Sequence, residues 1–162
     1  MSTNKNIDCN ESIVETRYLV MPHHTNHLGS LFGGQLLSWI DMTGAMSAQK
    51  HSKNEVVTVS MDSISFRNPI NIGDHVVIKA RVGYVGNTSM EVEIIVIKEN
   101  PLNNTNIEAT KAYMTFVAID HNKKPVLVPK LNLITPEDHN RFKNGMLRAE
   151  FRKKLDKAVH QS

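Results

Sequence analysis

The spacing of apolar and polar side chains changes period several times along the chain, and each change marks an element. Between Glu11 and Met21, Val14, Thr16, Tyr18 and Val20 alternate with Ile13, Glu15, Arg17 and Leu19, the two-residue period of a strand. Pro22 has no amide to give to a ladder and ends it. Pro22 to Gly34 reads as a polar loop. From Gln35 to about His51 polar positions almost vanish. Leu36, Leu37, Trp39, Ile40, Met42, Ala45, Met46 and Ala48 leave a helix no polar face, which predicts that it is buried all round. Gly44, Ala45, Ser47 and Ala48 are small enough to let another backbone come close. One carboxylate, Asp41, stands inside this segment, a turn after Leu37 and a turn before Ala45.

Strand periods then hold as far as Asp120. Val56 to Met61 is one strand, continued over Ser63 to Phe66 through a bulge, and Arg67 to Asp74 is a turn region. Val76, Ile78, Ala80, Val82 and Tyr84 form a long half-buried strand, Gly86-Asn87 a tight turn, and Met90, Val92, Ile94 and Val96 the next strand. Pro101 to Asn106 is a polar loop. Ile107 to Ile119 is the last long strand, and its second half is apolar on both faces, which predicts a central place or an interface. Thr135-Pro136-Glu137-Asp138 is a helix start, with Thr135 as cap and Asp138 at the capping-box position. That helix reaches about Ala158, with an apolar stripe of Phe142, Met146, Leu147 and Phe151 among many basic residues.

This order predicts an α+β fold in which one antiparallel sheet wraps around the apolar helix, with a peripheral C-terminal helix. Residues 1–10 are polar and aperiodic and are expected to be a mobile tail. Residues 11–132 then form the domain and residues 133–162 the basic helix. A second protomer is the simplest cover for the apolar sheet surface.

Composition narrows the class. A chain of 162 residues, 40% hydrophobic and 22% charged, fits one globular domain. No basic-then-apolar leader and no apolar run of ~18 residues is present, so neither a signal peptide nor a membrane span is expected. The single Cys9 excludes an intrachain disulfide and suits a reducing cytoplasm. The net charge is +3, and the basic last helix lacks interleaved aromatics, so nucleic acid is not an expected partner. His23, His24 and His27 do not have the spacing of a zinc site, and they read as exposed loop residues with no metal.

The chemistry centres on Asp41. An unpaired acid on a buried helix costs several kcal/mol unless something satisfies or uses it. It either caps a neighbouring backbone group or acts as a base or nucleophile. Gly33 and Gly34 stand where helix amides lack intrahelical partners, so they either bind a developing oxyanion or merely allow the turn. Asn26 either holds a water or carbonyl or closes an Asx turn. Thr58, on the strand after the helix, is placed to touch Asp41 or a water, although threonine is also an ordinary strand former.

The segment Asn26-His27-Leu28-Gly29-Ser30-Leu31-Phe32-Gly33-Gly34-Gln35-Leu36-Leu37-Ser38-Trp39-Ile40-Asp41 resembles the signature of the hotdog-fold acyl-CoA thioesterases. Val56-Val57-Thr58-Val59, Phe66-Arg67-Asn68-Pro69 with Gly73-Asp74, and Lys124-Pro125 with Val128-Pro129 are similar to later parts of that family, so the resemblance spans about residues 12 to 130. It implies hydrolysis of acyl-CoA to a free acid and coenzyme A without metal or organic cofactor. It also implies an obligatory homodimer joined sheet edge to sheet edge, commonly as a trimer of dimers. Asp41 of one protomer would share a site with Asn26 of the other, and Gly33, Gly34 and Thr58 would complete the catalytic set. Coenzyme A carries phosphates, so Arg67, Lys79, Arg81, Lys124, Lys130 and Arg148 are candidates to meet them, as is the Gly86-Asn87-Thr88-Ser89 turn. The acyl chain would lie along Met42, Ala45 and Met46. Two rival functions remain at this point: a hotdog dehydratase pairing His24 or His27 with Asp41, and a non-catalytic acyl-CoA binder.

Overall fold

The structure, a computed structural model, describes residues 5–62 and 64–160. The elements in chain order are β1 (Ile7–Asp8), β2 (Val14–Leu19), α1 (Gly33–Ser52), β3 (Glu55–Asp62), β4 (His75–Val85), β5 (Ser89–Asn100), β6 (Thr105–Ile119), β7 (Leu131–Asn132) and α2 (Pro136–His160). The main sheet runs β2-β4-β5-β6-β3, antiparallel at every junction, and curls around α1. The alternation that marks the strands decides which face meets the helix. Val76, Ile78 and Val82, then Met90, Val92, Ile94 and Val96, then Ala112, Met114, Phe116 and Ala118 have no exposed surface. They pack with Leu36, Trp39, Ile40 and Ala48 of α1 in one core. Each large side chain so buried contributes about 1.5–3 kcal/mol. The small Gly44 lets the helix sit low, because an added Cβ would come within 3.0 Å of the Phe116 ring.

Three expectations change. The helix α1 is buried on one side only. Gly34, Ser38, Met42, Met46 and Gln49 are exposed, with Met42 at 47% and Met46 at 41%. An apolar pattern marks surface that leaves water, whether inside one chain or between two, and periodicity cannot separate the cases. The expected tail is also corrected. Residues 1–4 lie outside the described residues, but Ile7–Ser12 are docked. β1 pairs in parallel with β7, and the Ile7 amide donates to the Lys130 carbonyl at 2.8 Å. Cys9 is buried, and the buried Ser12 hydroxyl donates to the Cys9 carbonyl and accepts from the Val82 amide. This anchor is made of backbone and hydroxyl groups, which leave no apolar period to read. Finally, Ser63 lies outside the described residues, and Ile64 to Phe66 form no strand. The bulge falls earlier, where the β3–β6 register slips between Thr58 and Ser60.

The C-terminal end of α1 is fastened by His51, which is fully buried and hydrogen-bonded through Nε2 to the Pro129 carbonyl at 2.9 Å. Burial pushes its imidazole below the ordinary range, against the pull of the Pro129 carbonyl. The unfolded chain therefore binds a proton that the folded one refuses. Stability should be complete above the unfolded value near 6.5 and fall as pH drops from there toward the folded value. Thermal melts of wild type and His51→Gln across this window should converge at low pH, and an unchanged gap would contradict the assignment. Among the described residues no helix is long and apolar enough to cross a membrane.

Candidate active site

Asp41 lies midway along α1, half-buried, and its Oδ1 accepts a hydrogen bond of 2.7 Å from the Thr58 hydroxyl. The bulge that makes Val59 the extra residue of β3 sits next to Thr58, and such bulges re-aim a neighbouring side chain. The acid is thus neither sealed in the core nor unpaired, as the apolar pattern alone predicts. It is not fully covered by the chain, and Met42 and Met46 of α1 and Val57 and Val59 of β3 are exposed as well. Met42 and Met46 therefore line an open face and not a closed tunnel.

Asn26 sits in a loop tied down by its own backbone and by aromatic packing. The Asn26 amide donates to the Ser30 carbonyl at 2.8 Å, and the Leu31 amide donates to the Ile70 carbonyl at 2.7 Å. His24 meets Trp39 edge-on at 4.9 Å, and Tyr18 stacks flat on Trp39 at 4.2 Å, which links the loop to α1 and β2. The three-ring stack is invisible to periodicity, because its members come from three elements. Asn26 Oδ1 accepts from the Leu28 amide at 2.9 Å and the Ser30 amide at 3.3 Å. This is the Asx-turn geometry, and it fixes which end of the amide is oxygen. The side-chain NH2 has no acceptor among the described residues and is free to donate.

The helix starts without a side-chain cap, and the chain's own carbonyls first take up the Gln35 amide. The Gly33 and Gly34 amides therefore keep their donors free among the described residues. Aromatic rings crowd both glycines. A Cβ at Gly34 would fall 2.5 Å from the Phe32 ring, and one at Gly33 would fall 3.6 Å from Phe66. A pocket of about 340 Å³ opens here, lined by Asn26, Gly33, Leu36, Phe66, Arg67 and Ile70 among others. Neither Asp41 nor Thr58 lines it. At 1.5 Å per residue, Gly33 and Asp41 stand about 12 Å apart along the helix axis.

The candidate phosphate ligands sort by partner. Arg148 is committed to the buried Glu91, with Nη2 at 2.7 Å and Nε at 3.1 and 3.2 Å, and it stacks on Tyr113 at 3.6 Å. Arg81 binds Asn10 and the buried Asp138. Both arginines are thus paired within the fold, and Arg148 also lines an open pocket with Tyr113, Lys111 and Arg152. Sequence shows a basic residue but not the carboxylate that the fold brings to it. Lys79 lies 3.6 Å from Glu15, and Lys130 reaches the Gly86 carbonyl at 3.3 Å. The Gly86 amide and Thr88 carbonyl are used by the turn and by Ala118, while Ser89 lines a separate pocket beside α2. The Lys124 side chain is exposed, and Arg67 stands at the Asn26 pocket. Neither His24 nor His27 is hydrogen-bonded to Asp41 among the described residues, and His24 Nδ1 instead accepts from the Met21 amide at 3.1 Å.

An antiparallel sheet curled on one helix, with an acid on that helix, is the hotdog architecture. A family model described as Thioesterase superfamily matches residues 28–103. YkhA of Bacillus subtilis, an uncharacterized acyl-CoA thioester hydrolase, is 40% identical over 94% of this chain and 89% of its own length. An apo-hexameric acyl-CoA thioesterase superimposes with a TM-score of 0.90 at 36% identity, covering 94% of this chain and 97% of the other. The acyl-CoA hydrolase of Staphylococcus aureus, solved with butyryl coenzyme A, coenzyme A and coenzyme A disulfide, gives 0.89 at 34% identity, covering 97% of this chain and 96% of its own. Variants of that enzyme with one Asn, one Asp or one Thr changed to Ala have also been solved. The chain belongs to the hotdog-fold acyl-CoA thioester hydrolases.

Proposed function

We propose that the chain hydrolyses acyl-CoA to a free acid and coenzyme A at a site shared between two protomers, with Asp41 as general base. The observation that carries this reading is the Asp41–Thr58 hydrogen bond between α1 and β3, at a place the chain does not fully cover. A carboxylate there costs stability, and an acid held by one hydroxyl keeps a free oxygen for a water. Asp41 takes a proton from that water as its oxygen bonds to the thioester carbon. The carbonyl oxygen becomes an oxyanion and accepts from the Asn26 NH2 and the Gly33 and Gly34 amides of the facing chain. The C–S bond then breaks, and the thiolate leaves with the proton from Asp41. One such preorganised donor is worth about 10²–10³ in rate. The steps need no metal or organic cofactor.

Distance supports the shared site. Within one chain the helix amides and Asp41 lie too far apart for one carbonyl to meet both. A second chain brings its Asn26 loop to Asp41. The partner would dock on β3, an edge strand with Val57 and Val59 exposed, since an unpaired edge is a template for another strand. Such dimers can assemble by threes, in keeping with the hexameric neighbour. The Asn, Asp and Thr varied in the Staphylococcus aureus enzyme are spaced as Asn26, Asp41 and Thr58 are here. The cytoplasm, where acyl-CoA is made and the free thiol of buried Cys9 stays reduced, is the compartment of this reaction.

Subunit mixing tests the shared site. Asn26→Ala and Asp41→Ala homo-oligomers should each be inactive in thiol release from acyl-CoA. After verified exchange, the mixture should regain activity, because some sites then pair an intact Asn26 with an intact Asp41. Exchange without recovery would refute the sharing, and a wild type that frees no thiol from any acyl-CoA would refute the hydrolase itself.

A further inference from the structure

An oxyanion at this site is met by two elements at once. The Asn26 side chain comes from a loop, and the Gly33 and Gly34 amides come from the start of α1. The chain between them closes into a short hairpin. The Asn26 amide donates to the Ser30 carbonyl at 2.8 Å, Thr25 and Leu31 form an antiparallel bridge, and the Phe32 amide donates to the His24 carbonyl at 2.9 Å. Leu28 and Gly29, at the tip, are exposed. The second leg of this hairpin is well held. The Leu31 amide donates to the Ile70 carbonyl at 2.7 Å, Ser30 bridges to Asn71, and Phe32 runs straight into α1.

The first leg carries Asn26, and its other side chains turn inward on the loop. The Thr25 hydroxyl donates to the Pro22 carbonyl at 2.7 Å, and Asn26 Oδ1 accepts from the Leu28 and Ser30 amides. His24 is the side chain of this leg whose ring meets α1. The ring is half-buried and stands edge-on to Trp39, 4.9 Å between centroids and 82° between planes. Trp39 is only 4% exposed and lies flat on Tyr18, so it is a fixed wall. Tyr18 is itself paired with Val76 of β4. The same imidazole is also fixed from below. Its Nδ1 accepts from the Met21 amide at 3.1 Å, and the His24 amide donates to the Met21 carbonyl at 2.9 Å. An Nδ1 that accepts leaves Nε2 to carry the proton of the neutral ring.

We propose, on the oxyanion role given to Asn26 above, that His24 is a positioning residue for the hydrolysis. It seats the first leg on Trp39, so that the Asn26 NH2 and the Gly33 and Gly34 amides converge on one oxygen. His24 touches no reacting atom and moves no proton, unlike a dehydratase histidine paired with Asp41. Its effect belongs to kcat, because the oxyanion exists only in the transition state. A donor misplaced by about 1 Å can cost on the order of 10²-fold in rate.

Thiol release from an acyl-CoA by wild type, His24→Ala, His24→Phe and His24→Asn tests this, with thermal melts and light scattering to verify fold and assembly. His24→Ala should lower kcat about ten- to a hundredfold and leave KM within about twofold. His24→Phe keeps a ring against Trp39, and His24→Asn keeps an acceptor in place of Nδ1, so each should recover part of the loss. If His24→Ala fails to assemble, His24→Phe carries the same comparison. Residues that act as one unit are not additive, so in an Asn26→Ala background the His24 substitution should cost less than about twofold. An equal loss in both backgrounds places the action of His24 elsewhere and overturns the proposal. So does a wild-type kcat in His24→Ala, a loss confined to KM, or Phe and Asn variants no better than Ala. If wild type frees no thiol, the hydrolase reading fails separately, and hydrogen exchange still decides whether His24 holds the loop. The Asn26, Leu31 and Phe32 amides should then exchange about tenfold faster in His24→Ala, with those of β4 and β5 unchanged. Equal exchange in the two proteins overturns it.

Discussion

Asp41→Asn should lower kcat for acyl-CoA by about 10²–10⁴, the range that a positioned general base supplies. KM should barely move, because the substrate is held by its other contacts. The substitution is well suited to the question. Asp41 is half-buried, and its one hydrogen bond among the described residues is accepted from Thr58. An asparagine can accept the same bond through its oxygen, so fold and assembly should persist while the proton acceptor is lost. Thr58→Val removes the hydroxyl and leaves the carboxylate. If the hydrogen bond only orients the acid, the loss should be near the ~1 kcal/mol of one such bond, several-fold in rate. The two variants together separate a base from a structural acid. A structural Asp41 would show itself as lower thermal stability with kcat kept, and an Asp41→Asn enzyme within tenfold of wild type would exclude the base. Thiol release under saturating substrate, with light scattering to verify the oligomer, gives both numbers.

The acid was legible because it breaks an apolar run, and a charge where burial is expected has few bland explanations. Its setting was less legible. The period of α1 predicts burial on all sides, whereas Met42 and Met46 face outward, since one sequence does not reveal whether the cover comes from the same chain. Thr58 looks like any strand threonine until the bulge at Val59 and the position of α1 bring it to Asp41. Asn26 turns out to have both of its readings at once: its oxygen closes an Asx turn and its nitrogen is left to donate. The basic residues were least legible. Arg81, Arg148 and Arg67 look alike in sequence, and only the carboxylates brought in by β5 and α2 separate two paired arginines from one that has no ion pair among the described residues. The same holds for α2 itself. Its expected stripe is only partly inward: Phe142 meets Tyr84 at 5.0 Å, but Leu147 and Phe151 are 51% and 66% exposed. Charge, more than apolar burial, fastens this helix to the outer face of the sheet.

Glu91→Ala should therefore destabilise the protein by about 3–5 kcal/mol, the usual result of stripping one partner from a buried ion pair. Glu91 is 2% exposed, on the sheet face opposite Met90 and Val92, and its carboxylate takes Arg148 from one side and Arg152 at 3.0 Å from the other. Arg152 also pairs with Asp62 at the end of β3, and Arg141 with Glu93, so three turns of α2 are held by β5 and its neighbours. Without Glu91 the half-buried Arg148 keeps the Tyr113 ring and the weaker pull of Glu93, and a desolvated guanidinium stripped of its bonded counter-charge is worse than none. That asymmetry gives the control. Glu91→Leu combined with Arg148→Leu removes both charges and should recover most of the lost stability, because burying a charge pair costs nearly what its attraction returns. Denaturant unfolding at one fixed protein concentration is the measurement, since an oligomer's midpoint shifts with concentration. Limited proteolysis adds a local readout: α2 should be cut first in Glu91→Ala and be protected again in the double variant. If the single variant unfolds with wild type, the cluster is ornamental and α2 is held by Phe142 and its neighbours alone. If the double variant is no better than the single one, lost packing and not an orphaned charge explains the effect.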